Sequence, residues 1–369
     1  MSRHFHTGLV AATTLLVTAP LARAAVTVST SATQTVTCAA GVCSPTATNG
    51  VLNAGDLESL LASGNVEVTT TGSGVQADDI RIDAPVSWPS ASVLTLDAYK
   101  SVTIDKLMKV SGAGGVSVIT SDGGSGGEFF FRNRGSLNFR NLSSPLTING
   151  IGYTLVGSVA TLSSAIAANP TGAFALANGY DASQDGTYTA SPVATMFSGA
   201  FNGLGNAISN LTISDPTENA FVGLFAEITG SGALANLHLT NLNVTGVSGS
   251  SGGSSTEFVG GLAGFADGGT IAHVFGTGTV TAGQYSAVGG LVGVSVGVIT
   301  SCGADIAASS GLGDAGGLVG GTIWSGDSVS DSYAIGNISG SGYVGGLIGF
   351  DSERRNQSFV CDGRGNRER

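Results

Sequence analysis

The sequence predicts an all-β protein, a right-handed parallel β-helix or β-solenoid carrying short local helices, and three observations support that expectation. The first is composition. Gly makes up 59 of 369 residues and charged residues only 11%, against roughly 7% Gly and 25% charge in ordinary domains. The abundant Val, Thr, Ser and Ala fit a pleated surface, with Gly at its bends. The second is a repeat. The central leucines of "VGGLAGF", "VGGLVGV", "AGGLVGG" and "VGGLIGF" are Leu262, Leu291, Leu318 and Leu347, spaced 29, 27 and 29 residues apart. The third is a fainter upstream period. A shift of 22 carries Ile80, Ile82 and Asp83 onto Val102, Ile104 and Asp105, and Leu94 and Leu96 onto Val116 and Val118. Alternation at period two marks strands with one buried face. Repeats in the twenties mark units that bury that face only by stacking. A sandwich would not repeat at fixed spacing, and propeller blades need roughly 40 residues each.

Taken in order, residues 1–24 read as a secretory signal peptide. Arg3, His4 and His6 form a weakly basic start, "GLVAATTLLVTAPLA" an apolar run, and Ala22-Arg23-Ala24 a small-x-small cleavage site. The run is short of the ~20 residues a membrane span needs. Cleavage after Ala24 is therefore expected, with an N-terminal anchor as the alternative and no transmembrane segment in the mature chain. Residues 25–150 should form a β-helical region of about 22-residue coils. Export favours a short-loop disulfide between Cys38 and Cys43 over two small buried thiols. "NAGDLESLLASG" (53–64) and "TLSSAIAANP" (161–170) show helical spacing with a Gly or Pro stop. The second lies in a connecting segment, 151–200.

Residues 201–350 form the repeat solenoid, with about 28 residues per unit. There "IAHVFGTGTV" (271–280) aligns with "VSDSYAIGNI" (329–338), pairing Phe275 with Tyr333. The short 27-residue spacing is ascribed to a contracted "ITSCGADI" (299–306), where Cys302 takes a small core position. A degenerate first copy, "FVGLFAEI" (221–228), precedes the insert "GSSGGSSTE" (249–257). No Lys or Arg occurs from 141 to 353, yet 354–369 holds five of the fourteen basic residues. That step sets 351–369 apart as a basic, disordered or non-native tail, from a truncated or frame-shifted gene or a fragment. A basic capping tail is the alternative.

"VGGLVGV" and "VGGLIGF", with following strands such as "VSDSYAIGNISGSG", resemble the GLUG-motif repeats of large bacterial surface proteins. "FSGAFNGLGNAISNLTI" (197–213) resembles the segment that introduces such arrays. The portion beginning "DDIRIDAPVSW" resembles β-helical exoproteins of the filamentous-haemagglutinin type. Together the likeness covers most of residues 50–350. It implies a secreted or cell-surface, adhesin-like solenoid whose partner is a host or cell-surface glycan or protein, exported with an outer-membrane secretion partner. The NPNG and NPNL turns of the haemagglutinin secretion domain are missing, the nearest string being "NPTG" at 169–172.

A net charge of −11 disfavours nucleic acid, which calls for clustered Lys and Arg. Enzymes on parallel β-helices need clustered carboxylates with a base or a substrate-binding cation. In the repeats Asp267, Asp305, Asp314, Asp327 and Asp331 are scattered, although Asp327 and Asp331 could share one coil surface. Upstream, Arg81, Lys100, Lys106, Lys109, Arg132, Arg134 and Arg140 lie among Asp78, Asp79, Asp83, Asp97 and Asp105. Only there can a polar cleft for carbohydrate be built, the plainer reading being solvent-facing pairs worth little. His238 and His273 have no companions at metal-ligand spacing. "GGSGG" (123–127) lacks a following Lys-Ser or Lys-Thr, and no "GxSxG" or calcium nonapeptide is present. The sequons at Asn141, Asn210, Asn243 and Asn337 read as turn and ladder residues. No catalytic residue, cofactor or metal is expected. The function predicted is a non-enzymatic, adhesin-like stalk or binding surface, with an accessory region of a secreted carbohydrate-active enzyme or peptidase as the alternative.

Overall fold

Short strands pair in parallel only if the chain leaves the sheet and comes back to it. The computed structural model, which describes residues 24–250, 256–323 and 327–352, makes that return, once at the 22-residue shift and then, from Val102 to Phe129 and from Val116 to Leu146, after longer passages. From Asp79–Ile82 the chain passes to Val86–Trp88 and then Val93–Asp97, strands of three different sheets. It re-enters the same sheets in the same order with Val102–Ile104, Met108–Val110 and Gly115–Ile119. A third passage uses Phe129–Phe131, Leu137–Phe139 and Leu146–Ile148. The parallel register sets Ile80 against Val102, Ile82 against Ile104, Leu94 against Val116 and Leu96 against Val118. These are the pairs the 22-residue shift names, and all eight side chains are buried. Among the described residues, antiparallel pairing is confined to three hairpins and one isolated bridge. The protein is all-β, with parallel sheets and two α-helices.

Both helices sit where spacing and caps put them. Helix α1, Ala54–Ser63, starts at Asn53, whose side chain accepts hydrogen bonds from the backbone N–H groups of Gly55 and Asp56. It buries Ala54, Leu57 and Leu61. Helix α2, Val159–Ala168, opens with a reciprocal capping box between Ser158 and Thr161 and buries Val159, Leu162 and Ile166. Each thus lays one apolar stripe on the sheets. Cys38 and Cys43 face each other across the hairpin of Val36–Ala39 and Val42–Pro45 and are joined by a disulfide. Cys302 is a buried free thiol whose burial pushes its pKa up to about 12.

In the repeats, Leu262, Leu291, Leu318 and Leu347 are all buried. The first three each donate a backbone hydrogen bond to the next leucine's carbonyl, at 2.8, 2.9 and 2.9 Å. The Gly pair before each leucine is demanded by close approach. A Cβ on Gly290 would run into the Gly317 carbonyl, and one on Gly289 into that of Val292. Side-chain columns continue through Ile271, Ile299 and Val329, and through Phe275, Gly303 and Tyr333.

Two expectations are corrected. The contraction behind the 27-residue spacing does not fall within 299–306. The register steps from Ala266↔Ser295 to Thr270↔Val298, and again from Ala282↔Ser310 to Val288↔Ala315. One residue is lost at each of two turns, because a deletion inside a strand would turn every later side chain to the wrong face. The segment 151–200 is also more than a connector. Thr154–Val156, Ala173–Leu176, Tyr180–Asp181 and Thr187–Tyr188 join the same 17-stranded sheet as the repeats. Phe197, Phe201 and Phe225 pack their rings across this junction, with centroids 5.7 and 5.9 Å apart. The upstream ladder runs on into it, since Leu137 N–H donates to the Leu204 carbonyl and Phe139 N–H to that of Ala177. The signal-peptide and basic-tail readings fall on residues outside those described, apart from Ala24 and from Asp351 and Ser352, of which Asp351 ends the strand Ile348–Asp351 and pairs with Thr322.

Truncating a ladder leucine should open a cavity that parallel backbones cannot close. Leu291→Ala is expected to lower the unfolding free energy by about 2–5 kcal/mol. The exposed Lys109→Ala should stay within about 0.5 kcal/mol. Urea midpoints at constant slope read both.

Candidate binding groove

The groove begins where three adjacent strands end. Asp83, Asp105 and Arg132 follow Asp79–Ile82, Val102–Ile104 and Phe129–Phe131, and their backbone N–H groups donate to Val28, Ile82 and Ile104 respectively. Stacking the strand ends stacks these side chains. Arg81 and Lys106 flank the column, and Asn133, held in a left-handed turn at φ 49°, donates from Nδ2 to Asp105 Oδ1 at 3.1 Å. Together they line a notch of about 320 Å³. Asp105 is buried, and Asp83, beside it on the neighbouring strand end beyond the paired Ile82 and Ile104, is exposed. Desolvation pushes the Asp83 carboxyl above its ordinary 3.8, aided by the adjacent Asp105 and opposed by Arg81 and Lys106.

Arg132 also lines a second cavity, of about 390 Å³, on the side facing the repeats. Its guanidinium lies 4.7 Å over the Phe130 ring, while His273 stacks on Phe130 at 5.4 Å and 16°. His273 Nε2 reaches Glu128 at 3.5 Å. The far wall is the outward column of the repeats, where His238 stacks on Phe275 at 5.5 Å and Phe275 meets Tyr333 at 6.4 Å. Ser301 and Asp331 reach the cavity from left-handed corners, at φ 54° and 49°. Burial pushes the His238 imidazole below its usual range, so it packs as a neutral ring.

Of the charged residues singled out in sequence, the fold gathers Arg81, Asp83, Asp105, Lys106 and Arg132. Lys100 pairs with Asp78 at 3.3 Å instead, and Asp97 is raised by desolvation beside Asp122 and Glu67. Asp331 joins the groove without Asp327. Sequence reasoning did not place Phe130, His273, Phe275 and Tyr333 at this site. The alignment of Phe275 with Tyr333 was the one available signal. Among the described residues no cluster of three or more His, Cys, Asp or Glu side chains could hold a metal ion, and no helix is long and apolar enough to cross a membrane.

No protein-family profile and no solved structure matches the chain. Among curated proteins it is similar to halomucin of Haloquadratum walsbyi, at 39% identity over 99 residues. That match covers 27% of this chain and 1% of halomucin, so the chain spans only a small fraction of that relative and the likeness is local.

The Asp83 shift carries a pH signature. A carboxyl raised on folding stabilises the fold fully below its unfolded pKa, near 3.8, and loses that contribution as pH rises through its higher folded value. The stability difference between wild type and Asp83→Asn should therefore move against wild type as pH rises through that window. Urea unfolding of both proteins from acid to neutral pH measures it.

Proposed function

We propose that the chain is a secreted or cell-surface, adhesin-like right-handed parallel β-helix of the GLUG-repeat and filamentous-haemagglutinin-like kind, exported by its N-terminal signal. It works as a stalk and binding surface for a glycan or protein of a host or neighbouring cell, and not as an enzyme. The three-sheet circuit and the leucine ladder support the architecture, each coil adding about 4.8 Å of length. One observation carries the non-enzymatic reading. Asp83 and Asp105 follow directly paired strand ends, Ile82 against Ile104, so they stand side by side on neighbouring strands, whereas glycosidase carboxyls flank a scissile bond from two sides, roughly 5 Å or more apart. The second reading, an accessory region of a secreted carbohydrate-active enzyme or peptidase, draws on the raised Asp83 beside two cations, since perturbed carboxyls gather at catalytic sites.

Incubation of the full chain with polygalacturonate, xylan and casein should release no reducing ends or new amino termini. Product formed by wild type and abolished in Asp105→Asn would replace this reading with the second. Brief chymotrypsin treatment of intact producing cells should release the chain's peptides, unless the chain is already in the medium. Protection until lysis would overturn export.

A further inference from the structure

Arg132 belongs to both halves of the groove, and the halves differ in chemistry. We infer that together they hold an acidic oligosaccharide, with a uronate carboxylate in the charged notch and an adjoining sugar ring against the aromatic wall; this rests on the binding-surface reading above.

The charge distribution points to an anion. The chain is strongly acidic and has no Lys or Arg from 141 to 353, yet Arg81, Lys106 and Arg132 converge on one notch. They face two carboxyls, Asp83 and Asp105, so the three cations leave the notch a net positive charge. A guanidinium offers a planar, two-pronged site to a carboxylate. Phe130 is not a stacking platform, because Arg132 covers one contact of its ring and His273 another. It positions the guanidinium instead. A nucleic-acid backbone would need many more phosphate contacts than three cations supply on an acidic chain.

The neighbouring cavity is built for a ring with one apolar face. Tyr333 is 43% exposed and lies over Gly303, where a Cβ would stand 2.5 Å from its Cζ. The missing side chain lets Tyr333 lean toward Phe275, at an interplanar angle of 39°, and opens a shelf between them. Pyranose C–H groups fit such aromatic surfaces. Glu128, Ser301 and Asp331 rim the shelf with hydrogen-bonding oxygens for the sugar hydroxyls. Both cavities lie within the roughly 300–1,000 Å³ of small-molecule sites.

Titration calorimetry of the full chain with hexagalacturonate, cellohexaose and hexa-aspartate tests the assignment. Hexagalacturonate should bind at least about tenfold tighter than the other two. Arg132→Ala, Arg81→Ala and Tyr333→Ala should each weaken it about tenfold, while Lys109→Ala changes nothing. Urea midpoints confirm that each variant is folded, and Arg132→Lys, which keeps the charge without the fork, should fall between Ala and wild type. Equal affinity for cellohexaose or hexa-aspartate, or full binding by a folded Tyr333→Ala, would overturn the proposal. Cleavage of hexagalacturonate would instead sink the non-enzymatic reading. A surface-displayed chain that binds none of the three would sink the acidic-sugar assignment alone.

Discussion

A strand that gives its backbone N–H and C=O groups to the next passage of the chain must meet a neighbour in the same phase, with the same face turned inward. That constraint shapes nearly everything else. It sets Ile80 beside Val102 and Leu94 beside Val116, and it joins Leu262 to Leu291 and Leu318 to Leu347 through backbone bonds. It also selects Gly where passages approach too closely for a side chain, as at Gly289 and Gly290. Inward positions are consequently mostly apolar, and buried polar side chains such as Glu257 and Asn206 are held by hydrogen bonds.

Chemistry is left to the outward positions and the corners. Asp83, Asp105 and Arg132 stand at strand ends, while His273, Ser301 and Asp331 all hold positive φ angles between 49° and 54°. Asn and Asp adopt such left-handed corners at small cost. The groove arises where corners of the repeats face the strand end at Phe130 and Arg132. Its two halves therefore come from ladders with different periods.

The register between residues 79–97 and 102–119 was legible because apolar alternation recurs there at a fixed shift. The next passage returns at unequal shifts, Val102 to Phe129 and Val116 to Leu146, that no single period names. The helices were legible because spacing and caps agree at Asn53 and Ser158. The turn contractions were not, since a gap between unequal copies can be slid along an alignment until structure fixes it. Of the groove, the charged half could be read as a crowd of candidates. Alternation then sorted it, sending Lys109 outward from Met108–Val110 on another sheet and Lys100 to Asp78. The aromatic half was hidden. Phe130 meets His273 only because the upstream ladder continues into Ala177 and Leu204, and no local pattern encodes that junction.

The direction of the backbone bonds has a mechanical corollary. They link each passage to the next, so tension across successive passages is carried in series, and the narrowest link yields first. Tyr333–Ala334 and Ile338–Ser339 pair over two residues each, whereas Gly303–Ser310 spans eight. Both short strands pair with Gly303–Ser310, so under load that link should part before the eight-residue pairing of Gly303–Ser310 with the passage before it.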